Sequence, residues 1–160
     1  MVKLFDDEAK DKKWKDRILL GFFILVAIGF WLFTLPPSPA QESINKYQGM
    51  SKSELQSQAD FMFDMTYIAR NPDSRIGDLI SFNGKVLQVQ QSGNDYVLRV
   101  SAGSGIGEGK QDVWVEYKST GSRPLEGDYA SVLGVFTGMK TYTTVLGAAK
   151  TIPAVKAFYI

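Results

Sequence analysis

Residues Ile18 to Leu35 read ILLGFFILVAIGFWLFTL, eighteen in a row without a charge, with Arg17 before them and Pro36-Pro37 after. As an α-helix rising about 1.5 Å per residue, such a run covers roughly 27 Å, close to the ~30 Å hydrocarbon core of a bilayer. Inside lipid every backbone amide needs a partner within the segment, so the stretch predicts a single transmembrane helix. Ile18, Leu25, Trp31 and Leu35 are its expected anchor residues, with Trp31 near one interface and Trp14 just outside the other. The alternative is a buried helix of a water-soluble core, but such helices are usually shorter and carry a polar stripe.

The flanks set an expected orientation. Lys3, Lys10, Lys12, Lys13, Lys15 and Arg17 precede the run, whereas only Lys46 and Lys52 follow within the next seventeen residues. Basic residues near a span are retained on the cytoplasmic side, which predicts a cytoplasmic leader over 1–17 and an exported C-terminal domain on a single-pass plasma-membrane protein. Ser38-Pro39-Ala40 offers small residues for a signal-peptide cut, but the apolar segment is long for a signal peptide and the leader is mixed in sign, favouring an uncleaved anchor. The absence of cysteine excludes a lipid-modified lipoprotein.

Beyond the anchor stand 125 residues (160 minus 35), enough for one domain with its own core. The net charge of +1 comes from a leader with six basic and five acidic side chains, leaving twelve of each sign outside it. A nucleic-acid binder would show a basic surplus to match phosphate, so no nucleic-acid partner is expected. With neither cysteine nor histidine, the chain lacks thiol redox chemistry and the commonest metal ligand and general base, and no cofactor or metal is expected.

Along the chain, Pro36-Pro37-Ser38-Pro39 opens a linker over 36–50 with an extended, polyproline-like start. Ser51 and Glu54 have capping-box spacing, and Leu55, Ala59, Met62, Thr66 and Ala69 share a helical face widened by Phe61, Met65 and Ile68. This predicts one amphipathic helix over 52–70, docked on a sheet and stopped by Asn71-Pro72. Strand patterns fill 79–160: Leu79–Gln90 with Gly84 at a bend, Tyr96–Val100, Val113–Tyr117, Tyr129–Gly138, Thr141–Leu146 and Ile152–Ile160. Lys140 should interrupt the sheet, and Pro153 marks an edge or a bulge. Five or six short strands bent by glycines predict a small β-barrel. The expected fold class is therefore one N-terminal transmembrane helix plus a mainly-β (α+β), OB-like barrel preceded by an amphipathic helix.

The run NPDSRIGDLISFNGKVLQV, with LEGDYASVLGVFTG, TYTTVLG and TIPAVKAFYI after it, resembles the OB-fold-like domains of small anchored or secreted proteins of Gram-positive bacteria and their phages. Gly77 and Gly84 bracket its first strand, Gly127-Asp128 precedes the fourth, Gly134 bends that strand, and Ile152-Pro153 starts the last. The resemblance implies a fold and a place and no catalytic residue. In architecture alone the chain also resembles prophage-encoded superinfection-exclusion proteins, which block DNA entry by competing phages.

Motifs for catalysis are wanting. Without histidine, Ser101 or Ser104 could be activated only by a lysine such as Lys110 or Lys150, and no motif spacing pairs them. GSGIGEGKQ departs from a phosphate loop at Ser104 and Gln111 and sits between strands. Glu126 with Asp128, and Asp73 with Asp78, lack the dense oxygen ligands of a calcium loop and suit turns.

The aromatic residues lead further. If Val113 and Val115 face the core, Trp114 points outward, with Tyr96, Tyr142 and Tyr159 expected near it as a partner-binding set. The competing placement puts Trp114 beneath the helix of 52–70. The expected function is a non-enzymatic, membrane-anchored binding module, meeting a membrane or cell-envelope protein, with superinfection exclusion as its sharpest form. The alternatives are an envelope-associated enzyme or an OB domain that binds a small ligand or oligosaccharide.

Overall fold

The computed structural model describes residues 36–61, 65–103, 111–119, 121, 123–144 and 146–160. The expected leader and span, with Ile18, Leu25, Trp31 and Leu35, lie outside them.

Helix α1 spans Pro39–Tyr47, α2 Lys52–Gln58 and α3 Met65–Arg70, followed by a 3₁₀ turn at Pro72–Arg75. The strands are β1 Leu79–Ser92, β2 Asp95–Ala102, β3 Gln111–Lys118, β4 Tyr129–Thr143 and β5 Ala149–Tyr159. They close into a barrel in the order β1-β2-β3-β5-β4. All neighbours are antiparallel except β3 and β5.

Alternation drives the closure. Tyr96, Leu98, Val100 and Ala102 of β2 point inward, as do Val113, Val115 and Tyr117 of β3. They meet Ile80, Val86, Val132, Phe136 and Val155 in one apolar interior, which Ile68 of α3 joins. Period-two apolar faces of this kind have to bury against one another, and closing the sheet does so while removing its edges. At Gly84, which pairs with β2 on one side and β4 on the other, a Cβ would stand 2.6 Å from the Ser101 carbonyl oxygen, so only glycine lets the strands approach there. The bulge itself falls three residues later, between Val86 and Gln88, and turns Leu87 outward while Val89 packs on the interior.

The expected fold class is corrected in two respects. Among the described residues no helix is long and apolar enough to cross a membrane, and these residues form a mainly-β, five-stranded barrel with short helices. The single amphipathic helix over 52–70 is also broken. α2 keeps the expected capping box, with the Ser51 N–H donating to Glu54 Oε2 at 2.8 Å and the Glu54 N–H donating to Ser51 Oγ at 3.4 Å, but it stops at Gln58. Asp60 then bridges to β1: its N–H donates to the Leu79 carbonyl at 3.0 Å, and its carbonyl accepts from the Ser81 N–H at 3.1 Å. Arg75 holds the Asp60 carboxylate at 2.6 Å and also pairs with Asp78. Backbone pairing with the sheet and this clamp outweigh the helical periodicity of 55–69.

Two linker and strand expectations change as well. Pro39 opens a helix rather than prolonging an extended spacer, because a first-turn proline needs no N–H partner and Ser38 Oγ caps the Gln41 N–H at 3.3 Å. Strand β4 runs through Lys140, whose backbone pairs with Ile152 of β5 while its exposed side chain stays outside the barrel.

Candidate functional site

The barrel wall is not uniform. β3 pairs with β5 only from Trp114–Ala154 to Tyr117–Ala157. Above that point β5 continues with β4 alone, Pro153 to Ala149 opposite Met139 to Thr143. Thus the distal part of the β4–β5 hairpin leaves the wall as an arm beside β3, past the register shift between Phe136 and Gly138. Gly138 sits at the arm's base with φ 106°, a left-handed conformation that suits glycine.

Side chains span the gap between arm and wall. Trp114, on the outward parity of β3, meets Tyr142 of the arm with ring centroids 5.7 Å apart and planes tilted by 37°. Lys140 Nζ lies 5.7 Å from the Trp114 ring centroid, within cation–π range. Arg99, opposite Trp114 on β2, directs a guanidinium N–H to the Tyr142 hydroxyl at 3.5 Å. Lys150 of the arm pairs with Asp112 of β3 at 2.8 Å. The Asp112 carboxylate pushes the Lys150 pKa above the ordinary lysine value, partly offset by burial and by the positive charge of Arg99. Below, the indole N–H donates to Glu116 Oε1 at 3.3 Å, and Lys156 stands 3.9 Å from the same carboxylate.

Arg99 is the unusual member. Its Nε is buried with no hydrogen-bond acceptor, and no carboxylate lies within ion-pair distance of it among the described residues. An N–H closed off this way loses hydration without regaining a partner from the protein.

Of the four aromatic residues expected together, the structure joins two. Trp114 and Tyr142 stack on the open face. Tyr96 is only 6% exposed and lies inside the barrel, its ring centroid 6.4 Å from that of Tyr117, because β2 places positions 96, 98 and 100 inward. Tyr159 lies on another wall, donating its hydroxyl to the Met50 carbonyl at 2.9 Å. The residues that sequence inspection missed are Arg99, Lys140, Lys150 and Asp112. Arg99 alternates with the inward Leu98 and Val100, so its outward direction was legible; its position opposite Trp114 depends on a register concealed by the loop between β2 and β3.

Of the acids weighed as calcium ligands, two hold backbone N–H groups and one holds a guanidinium. Asp128 accepts from the Leu125 N–H at 2.9 Å and Glu126 from the Val89 N–H at 3.2 Å, while Asp78 pairs with Arg75. Among the described residues no group of three or more acidic side chains is gathered to hold a metal ion. Two cavities of about 350 and 340 Å³ lie away from the aromatic pair, one along α1 and Tyr159 and the other around Arg123 and Tyr129. No protein-family model matches the sequence, and no curated protein matches it.

Proposed function

We propose that the barrel is a non-catalytic binding module that takes its ligand on the face formed by Arg99, Trp114 and the β4–β5 arm. The observation that carries this proposal is the tilted Trp114–Tyr142 pair beside Arg99, a polarisable aromatic surface next to a half-buried cation without a counter-ion among the described residues. Rigid aromatic residues and arginine are the groups that most often dominate recognition, since they offer large contact area at low entropic cost. Among the described residues of this face the lysines and acids face one another or the rings, and none is paired with a serine or threonine hydroxyl.

The strand order gives this proposal a second support. OB barrels are five-stranded Greek-key barrels that bind across strands 2 and 3 and the loops after strands 1 and 4. Trp114, Arg99 and the arm occupy that region here, which supports the proposal of an OB-type domain. Phage exclusion and export, read from the leader and from Ile18–Leu35, gain no support from the barrel.

Titration of the ¹⁵N-labelled chain with peptides, saccharides and nucleotides tests the binding face. The expected result is shifts confined to β2, β3 and the arm, including the Trp114 indole. Shifts centred on the cavity by α1 and Tyr159, with a silent Trp114, overturn it.

A further inference from the structure

We infer that the ligand of this face is an acidic saccharide, whose carboxylate sits on Arg99 while the apolar face of its ring packs against Trp114; this rests on the binding proposal above. Arg99 has a buried Nε without an acceptor and a second N–H reaching only to 3.5 Å from the Tyr142 hydroxyl. A ligand carboxylate supplies the counter-charge that no described residue gives Arg99, through the terminal guanidinium N–H groups rather than the closed-off Nε.

The rest of the face selects among anionic ligands. Asp112 and Glu116 stand on the same side of β3 as Trp114; Asp112 is held by Lys150 at 2.8 Å, and Glu116 by the indole N–H at 3.3 Å with Lys156 at 3.9 Å. Carboxylates placed this way accept from hydroxyl donors, which a sugar presents along its ring edge. Trp114 and Tyr142 touch at 5.7 Å with planes 37° apart, which leaves no parallel slot for a nucleobase and offers a one-sided wedge. A pyranose needs only one aromatic surface, since its C–H face is the apolar part. Among the described residues, a guanidinium without a carboxylate, the acceptors of Asp112 and Glu116 and an indole beside Lys140 therefore fit a ring with one acid group and several hydroxyls better than a nucleotide.

The test uses the full chain and three probes, trigalacturonate, neutral maltotriose and an oligothymidylate, followed through the Trp114 indole resonance. Trigalacturonate should bind at low salt and weaken as salt rises, with maltotriose at least about tenfold weaker. Arg99→Met should abolish this preference, and Arg99→Lys should restore part of it, because charge returns without the fork. Circular dichroism of each variant, unchanged from the parent, separates lost recognition from lost folding. Equal binding of both sugars, unaffected by Arg99→Met, overturns the acidic ligand and leaves the binding face standing. Tighter binding of the oligothymidylate overturns the saccharide class. Silence of the indole toward all three overturns this inference, and response of the α1 cavity to any of them overturns the binding face as well.

Discussion

Two outer walls of the same barrel treat their apolar residues differently. On the wall made by β1, β4 and the end of β5, Leu79, Leu133 and Val135 point outward, yet all are buried because Leu55 of α2 covers them together with Ile44, Tyr47 and Met50. On the wall made by β2, β3 and the arm, Trp114 and Tyr142 are half-buried against each other and against charged side chains. The first wall is completed by the chain's own helices. The second is completed by charge pairs and one aromatic contact, which leave a hydrogen-bonding atom of Arg99 unsatisfied. A closed barrel needs no cover for its backbone, so covering one wall with helices serves apolar burial, and leaving the other open preserves a surface for contact.

If this contrast is sound, the largest loss of stability comes from the covered wall. Leu55 is fully buried, and Leu55→Ala should destabilise the domain by about 2–5 kcal/mol through lost transfer energy plus a cavity. Denaturant unfolding of the full chain measures it. A loss under about 1 kcal/mol would mean that the helices lie loosely on the wall and that the contrast is false.

A smaller effect is expected where α1 and α2 are joined to β5. Tyr159→Phe removes the hydroxyl that donates to the Met50 carbonyl and should cost about 0.5–1.5 kcal/mol. The carbonyl keeps access to solvent at this partly buried site, so the lower half of that range is expected. Equilibrium unfolding beside the parent chain decides.

On the open wall, stability and binding should separate. Trp114→Ala should cost less than Leu55→Ala, since it loses the burial of a half-buried indole plus the about 0.5–1.5 kcal/mol of the tilted aromatic pair, while removing the ligand response of β2, β3 and the arm. A stability loss comparable to that of Leu55→Ala would show Trp114 to be structural, and the open wall would become a second core.

The difference between the walls also explains what the sequence disclosed. Strand positions were legible because β-branched and aromatic runs alternate and glycines punctuate them, so Tyr96–Val100 and Val113–Tyr117 fall within β2 and β3. Parity alone placed Trp114 outward. It equally placed Tyr96 inward, but a tyrosine's polar tip made a surface role attractive, and only the paired ring of Tyr117 shows how the barrel holds it. The break after Gln58 was not legible. Helical periodicity persists through Ile68, and what overrides it is a hydrogen-bonded bridge from Asp60 to a strand twenty residues later in the sequence. Long-range pairing of that kind also sets Arg99 opposite Trp114, which is why half of the candidate site was invisible to spacing.

The smallest effect concerns the latch between arm and wall. Lys150 and Asp112 pair at 2.8 Å, but the lysine side chain is 49% exposed, so the pair should contribute no more than about 0.5–1 kcal/mol and fade with salt. Asp112 raises the Lys150 pKa, chiefly through its hydrogen bond. For a base whose folded pKa is raised, the stabilisation is fully present below the unfolded lysine pKa near 10.5 and is lost as pH rises through the higher folded value. At neutral pH the latch is therefore closed, and Asp112→Asn should weaken it without unfolding the domain. The arm has no backbone ladder to β3 above Trp114, so the weakened latch should appear as faster amide exchange in 139–143 and 149–153, with β2 and β3 unchanged. Equal acceleration across β1 and β4 below Gly138 would mean that the ion pair supports the whole barrel, and the arm would then be part of the wall rather than a separate element.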